Sequence, residues 1–431
     1  MKHQNIILGA GMTGLAAGWA SGWPVFEAAN IPGGICSSYY IRPGESRRLS
    51  RPPKDKEAYR FEIGGGHWIF GADADTLHVI KKLIPVNQYI RRSAVYFRNK
   101  QLYVPYPLQN HLRFFSQDVA QQALAEMVNP PQKSFATMQE WLEHSFGPTL
   151  CELFFYPFHE LYTAGLYKTI APQDAYKSPV DLSLVIQGAS QEAPPVGYNA
   201  TFAYPVTDLR DLAQRMADRC DIHYEKKAIK IDIAEKVVYF ADSSEVSYHT
   251  LISTLPLNRM LEISELKIDA EPYPYTSVLV LNIGAIRWEQ CPDDHWLYLS
   301  ESTSDFHRVG FYSNVDVSFL PKSSQKENSR VSIYVERVYS GKQKPSEQEI
   351  DLYADSVIKE LQEWDFIKDV EVIDPTWIDI AYTWSYPKSH WKQQGLQKLE
   401  KHGIYQLGRY GRWKFQGIAD SIKEGLTWGR E

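Results

Sequence analysis

The chain has 431 residues, 46 of them Lys or Arg and 52 Asp or Glu, for a net charge of -6 at pH 7. That balance gives no reason to expect nucleic acid or an anionic membrane as partner, and no apolar run approaches the ~20 residues that span a bilayer. The cysteines Cys36, Cys151, Cys220 and Cys291 lie far apart with no CxxC spacing, which indicates neither a zinc site nor a disulfide framework and suits free thiols in a reducing cytoplasm.

In chain order, the first element is a short apolar strand, Ile6-Ile7-Leu8, running into the glycine turn Gly9-Ala10-Gly11-Met12-Thr13-Gly14. Thirteen residues beyond Gly14, the run Val25-Phe26-Glu27 ends in an acid. Strand, turn and acid together predict a dinucleotide-binding unit. Gly9 permits the tight turn, Gly11 lets the backbone approach a pyrophosphate, and Gly14 lets helix and strand pack closely. The pyrophosphate sits on the helix N-terminus and Glu27 takes the adenosine ribose hydroxyls. A second pair, Gly33-Gly34, follows Glu27 and favours FAD over a nicotinamide. A cofactor strand this near the first residue leaves no room for a signal peptide, which adds to the expectation of a cytoplasmic protein.

Residues 42–60 are polar, basic and proline-bearing, and read as a surface loop. Helical periodicity runs through residues 116–166, carried by Val119, Ala123, Leu124 and Met127, then by Met138, Trp141, Leu142 and Leu150. Strand patterns return at residues 229–233, 237–240 and 250–254, and again at 277–281 and 330–335. An amphipathic helix over 347–364 precedes a last strand pattern at 370–373. The expected fold class is α/β: a Rossmann-like FAD-binding domain, a helical insertion, and a second sheet-containing substrate or cap domain. The FAD-binding domain is discontinuous, from residues 1–95, 195–270 and 375–431; the helical insertion covers 96–194 and the sheet-rich domain 271–374. The 27 Tyr and 12 Trp exceed ordinary core needs and suit a pocket that stacks on flat groups or sugar rings.

The glycine turn, Glu27 and Pro32-Gly33-Gly34-Ile35-Cys36-Ser37-Ser38 together resemble the amine-oxidase-like flavoproteins. Five later segments resemble the UDP-galactopyranose mutase branch, especially its eukaryotic-type members, in family order over nearly the whole chain. They are Ile63-Gly64-Gly65-Gly66-His67-Trp68-Ile69-Phe70; Val104-Pro105-Tyr106-Pro107-Leu108-Gln109-Asn110; Asn199-Ala200-Thr201-Phe202-Ala203-Tyr204-Pro205; Trp296-Leu297-Tyr298 with Phe306-His307-Arg308 and Ser313-Asn314; and Gly408-Arg409-Tyr410-Gly411-Arg412-Trp413-Lys414-Phe415.

The resemblance implies roles. In the mutases, reduced flavin displaces a nucleoside diphosphate from the anomeric carbon, the sugar ring opens and recloses, and the diphosphate returns. It implies catalytic roles for His67, beside the flavin, and for Arg308, whose guanidinium binds phosphate oxygens in a fork. Tyr298, Tyr386, Gln109, Asn199, Tyr162 and Phe415 become substrate-binding positions. Thr13, Ser37, Gly66, Arg409, Asp420 and Ser421 join Gly9, Gly11, Gly14, Glu27, Gly33 and Gly34 as cofactor-binding positions. The partners implied are a nucleotide sugar and an external reductant, since the sequence shows no separate nicotinamide motif. Each residue also has a structural alternative: an ion pair for Arg308 or Arg409, core packing for the tyrosines and His67, and turn hydrogen bonds for Gln109 and Asn199.

The chain also departs from the pattern. The interval from Gly14 to Glu27 is several residues short, so the first helix loses about a turn. Tyr162 stands where the mutases carry a Trp, Phe415 where they carry a Tyr, and Thr207-Asp208 where they carry a glycine pair. Residues 175–184 offer no match for a second diphosphate-binding Arg, and the segment 416–421 is short. Two function classes stay open. One is a flavin-dependent enzyme acting on a nucleotide sugar without net oxidation. The other is an oxidoreductase of the amine-oxidase or protoporphyrinogen-oxidase type, passing hydride to FAD. Retention of Arg308, Tyr298, Asn199 and Gln109 favours the first.

Overall fold

The computed structural model describes residues 4–130, 134–173 and 180–430. The strand Gln4–Leu8 lies inside a largely parallel sheet, between Val25–Phe26 and Glu245–Ser253, with Ile222–His223 beyond the former. Ile404–Gln406 pairs in parallel with Glu245–Ser253, and Val237–Phe240 and Ala228–Asp232 continue the sheet as an antiparallel hairpin. Burial on both faces explains why Ile6-Ile7-Leu8 reads as an uninterrupted apolar run.

The helix that follows, Met12–Ser21, is short and rich in Ala and Gly. It stops at Gly22, whose φ of 70° and N–H bond to the Gly18 carbonyl close it in a left-handed cap. Small residues on this helix admit a second one, Ile418–Trp428: a Cβ on Gly425 would lie 2.3 Å from the Thr13 carbonyl oxygen and 2.7 Å from Ala16 Cβ.

A second seven-stranded sheet stands beside the first, in the order Ile367–Thr383, Tyr275–Arg287, Arg330–Ser340, Arg308–Phe311, Trp296–Leu299, Ser93–Phe97, Leu102–Pro105. It draws strands from segments that the sequence reading assigned to different domains. Ser93–Phe97 and Leu102–Pro105 join it through Trp296–Leu299. A boundary at residue 375 would cut the continuous strand Ile367–Thr383; Pro375 interrupts the pattern, but this strand forms the sheet edge, where a missing N–H is tolerated. The expected loop over 42–60 is shorter at its far end, because Tyr59–Glu62 pairs with Ser38–Ile41.

The helical segment comprises Gln117–Val128, Met138–Leu150, the wider turn Cys151–Phe155, and Tyr156–Thr163. Thr137 and Glu140 form a capping box at the second of these. That helix breaks at Gly147 (φ 74°) and restarts at Pro148. The restart is capped from its neighbour: Glu126 accepts the Thr149 N–H and hydroxyl, both at 2.8 Å. Among the described residues no helix is long and apolar enough to cross a membrane, and all four cysteines are free.

Candidate active site

One cavity of about 930 Å³ runs from the glycine turn, past the Gly64–His67 loop, to the helical segment. Gly9 adopts φ +96° and donates its N–H to the Phe26 carbonyl, which fixes the turn. Gly11 precedes the first helix with extended backbone and no side-chain cap, leaving helix amides open to an anion. A Cβ built on Gly11 meets nothing within 4 Å, whereas one on Gly14 would sit 1.9 Å from the Gly9 carbonyl oxygen. Gly11 is therefore vacant on its open side, and Gly14 is packed behind the turn. Glu27 Oε2 accepts the Ala10 N–H at 2.6 Å and Oε1 the Ala29 N–H at 2.8 Å, which aims the carboxylate along the cavity rim. Gly33 (φ +104°) reaches back to the turn through its N–H bond to the Ala10 carbonyl. Thr13, Gly34 and Ser421 also line this end. This open, anion-ready turn with an acid on its rim fits the adenosine and pyrophosphate half of FAD.

Two expected cofactor residues do not line the cavity. Ser37 is fully buried, its Oγ without a hydrogen-bond partner among the described residues. Asp420 caps its own helix by accepting the Gly417 N–H at 3.1 Å.

At the other end, Gly64, Gly65 and Gly66 let the chain press onto the second sheet: a Cβ on Gly66 would be 2.2 Å from the Tyr334 hydroxyl. His67 follows, lining the cavity. Burial, then the charges of Arg409 and Arg308, lower its pKa to about 4, so the ring is neutral at physiological pH. Arg409 donates to the carbonyls of Ala381 (3.0 Å) and Gln416 (3.3 Å), with its guanidinium 4.8 Å from the Phe415 ring.

Strand register assembles the centre of the site. Tyr298 lies opposite Arg308, and Arg308 opposite Glu336, in adjacent antiparallel strands. Arg308 grips Glu336 in a fork, Nε to Oε2 at 3.0 Å and Nη2 to Oε1 at 2.5 Å. Glu336 is 2% exposed. The Tyr106 ring stands 4.8 Å from Tyr298, and Tyr162 4.9 Å from Tyr382. Trp141, Phe146, Phe154, Phe155 and Phe158 extend this aromatic wall into the helical segment.

The structure brings Tyr162, Asn199, Tyr298, Arg308 and Phe415 to the same cavity as His67 and Arg409. Asn199 is already engaged, its Oδ1 accepting from Arg91. Gln109 is fully buried and does not line the cavity. Tyr386 lies elsewhere: the strand ends at Thr383, and the chain carries residue 386 into the cluster around Tyr273 and Trp391. Tyr382, on the strand itself, occupies the wall instead. Glu336, Tyr382 and Trp384 were not among the site residues read from the sequence, and Tyr106 and His307 stood in quoted segments without a role of their own. Glu336 carried one faint signal, an acid directly after the apolar run Ile333-Tyr334-Val335, since an acid drawn into a buried strand asks for a cation. Part of the segment searched for a second arginine, residues 175–179, lies outside the described residues.

A parallel nucleotide-binding sheet, a second sheet roofing the reactive end and one cavity joining them define an FAD-binding flavoprotein. The sequence matches the flavin containing amine oxidoreductase family over residues 24–427, and the chain belongs to that family; its cofactor is FAD. The fold is similar to a crystal structure of reduced UDP-galactopyranose mutase, with a TM-score of 0.83 at 22% identity, covering 99% of this chain and 94% of that one. It is also similar to a candidate protoporphyrinogen oxidase from Exiguobacterium (TM-score 0.67, 12% identity, 100% and 98% covered). Putrescine oxidase bound to putrescine matches at a TM-score of 0.57 and 14% identity, with 100% and 98% covered.

Proposed function

We propose that this chain is an FAD-dependent isomerase acting on a nucleoside-diphosphate sugar, in the manner of UDP-galactopyranose mutase. The observation that carries the reading is the cross-strand row Tyr298–Arg308, set in one cavity with His67 and the FAD cradle. Held by the glycine turn, Glu27 and Arg409, reduced FAD would supply electron-rich, nucleophilic chemistry at the anomeric carbon. Arg308 binds the diphosphate, with Tyr298 and Tyr382 offering hydroxyl donors and Tyr162 a ring face. Arg409 sets a positive charge against the reduced cofactor, and neutral His67 hydrogen-bonds beside it. The aromatic wall keeps water from the reacting carbon. No net oxidation occurs, so an external reductant is needed only to prime the cofactor, and the free thiols suit a cytoplasmic setting.

The test is to reduce the purified holoenzyme and follow UDP-galactopyranose by chromatography, with ring-contracted product expected. A second reading, hydride transfer from an amine to FAD, is favoured by one observation: Glu336 already neutralises Arg308. Steady oxygen consumption with an amine, and no sugar conversion, would overturn the isomerase reading in its favour. In the same framework, Arg308→Ala should abolish UDP binding to the reduced protein while the yellow FAD spectrum persists. Unchanged UDP affinity in that variant would remove the diphosphate role.

A further inference from the structure

Beside the Arg308–Glu336 fork stands a buried imidazole that the proposed reaction does not use. His307 is 1% exposed and lines the cavity. Its Nε2 faces Glu336 Oε2 at 3.6 Å, and its Nδ1 has no hydrogen-bond partner among the described residues. A ring nitrogen that faces a carboxylate carries the proton, which leaves Nδ1 as the bare nitrogen of a neutral ring. Burial first, and the Arg308 charge second, hold this histidine well below its usual pKa.

The groups facing this pair come from several elements. The sheet contributes Tyr298, Tyr334 and Tyr382, and the glycine loop contributes neutral His67. The helical segment contributes Tyr162, 5.3 Å from the His307 ring, and the Phe158 ring at 6.0 Å; behind Tyr162 lies His159, whose pKa burial lowers to about 4. The next cation, Arg409, is engaged by two backbone carbonyls. Glu336 therefore has one strong counter-charge, Arg308, and one neighbour able to become a second.

A diphosphate that draws Arg308 into its own fork strips Glu336 of its partner. A buried carboxylate without a counter-ion is costly, and the imidazole 3.6 Å away can take over. We propose that binding of a nucleoside diphosphate at Arg308 is coupled to uptake of one proton by His307, whose imidazolium then replaces the guanidinium as counter-ion of Glu336. This rests on the nucleotide-sugar reading. The proton comes from solvent and forms an N–H bond at Nδ1; Nε2 keeps its hydrogen toward Glu336, and no electrons are transferred. Glu336 and His307 act as positioning residues, governing when Arg308 is released to substrate.

The sign follows from the charges. While Arg308 is turned to Glu336, its field opposes protonation of His307; once a dianion neutralises it, the field of Glu336 favours protonation. Affinity should therefore rise as pH falls. The test titrates the oxidised holoenzyme with UDP-galactose, whose bridging phosphates stay ionised throughout, between about pH 6 and pH 9. The dissociation constant should weaken by up to about tenfold per pH unit on the alkaline side, the limit for one linked proton. Calorimetry in two buffers of different ionisation enthalpy should show uptake approaching one proton per ligand. In His307→Gln both effects should vanish while UDP-galactose still binds and FAD is retained. A pH-independent affinity in the parent protein, or a slope that survives in His307→Gln, would overturn the coupling. Should that variant fail to retain FAD, the two-buffer measurement on the parent protein decides alone. Binding without proton uptake defeats this inference only; no binding at any pH defeats the nucleotide-sugar reading as well.

Discussion

Two glycines of the same turn should fail differently when replaced. Gly14→Ala drives a methyl group against the Gly9 carbonyl at 1.9 Å, backbone against backbone, so the variant should lose about 1–3 kcal/mol of stability and bind FAD poorly. Gly11→Ala adds a methyl group where the protein has nothing within 4 Å, at a φ of -71° that alanine adopts freely. That variant should keep the melting temperature of the cofactor-free protein yet purify with little flavin, read from the visible-to-ultraviolet absorbance ratio. A Gly11→Ala protein fully loaded with FAD would show that no ligand approaches this backbone. Such residues were legible in the sequence because their role follows from four or five neighbours in the chain. Glu336 was not: its partner lies 28 residues earlier, and only strand register brings the two together. Tyr382 and Tyr386 divide on a similar point, since where the strand Ile367–Thr383 ends decides which tyrosine stays on the cavity wall.

At the level of elements, the break at Gly147 depends on a side chain from another helix. Glu126 satisfies the amide and hydroxyl of Thr149 at the restart. Glu126→Ala should therefore cost about 1–2 kcal/mol, the usual price of a lost N-terminal cap, measurable as a lower urea midpoint. Unchanged stability would mean that water caps this turn equally well. The sequence pattern marked the periodic helices over 116–166, most strands of the first sheet and three of the seven in the second, because period and burial are written locally. It did not show that Ser93–Phe97 and Leu102–Pro105 extend the second sheet. A short strand is recruited by the edge it meets, and that edge is built some two hundred residues later, by Trp296–Leu299.

For the molecule as a whole, one buried acid ties the parts together. Glu62 is fully buried, accepting from the Ser38 hydroxyl at 2.8 Å and from Tyr204, while Asn282 of the second sheet donates to its backbone carbonyl at 2.9 Å. Burial raises its pKa from 4.5 to about 8. A carboxyl whose pKa is raised on folding stabilises below its unfolded value, and that contribution is lost as pH climbs towards the folded value. Melting temperature should thus fall between about pH 5 and pH 8 through this group, and Glu62→Gln, which mimics the protonated form, should flatten that decline. An equally steep decline in Glu62→Gln would assign it elsewhere.

The order of strands in the first sheet also has a consequence for how the protein is made. Gln4–Leu8 leaves the ribosome well before its parallel neighbour Glu245–Ser253, and the layer beyond it needs Ile404–Gln406. The helix that packs on Met12–Ser21 is Ile418–Trp428, near the other end of the chain. Parallel pairing over such separations is slow and pays loop-closure entropy before any contact rewards it. The nascent chain therefore carries its nucleotide fingerprint, complete in sequence and shapeless in space, until the segments around 245–253, 404–406 and 418–428 have been made. FAD capture is a late event, and a chain stalled short of Glu245 would display an apolar first strand with no neighbour on one side, the kind of surface that chaperones hold.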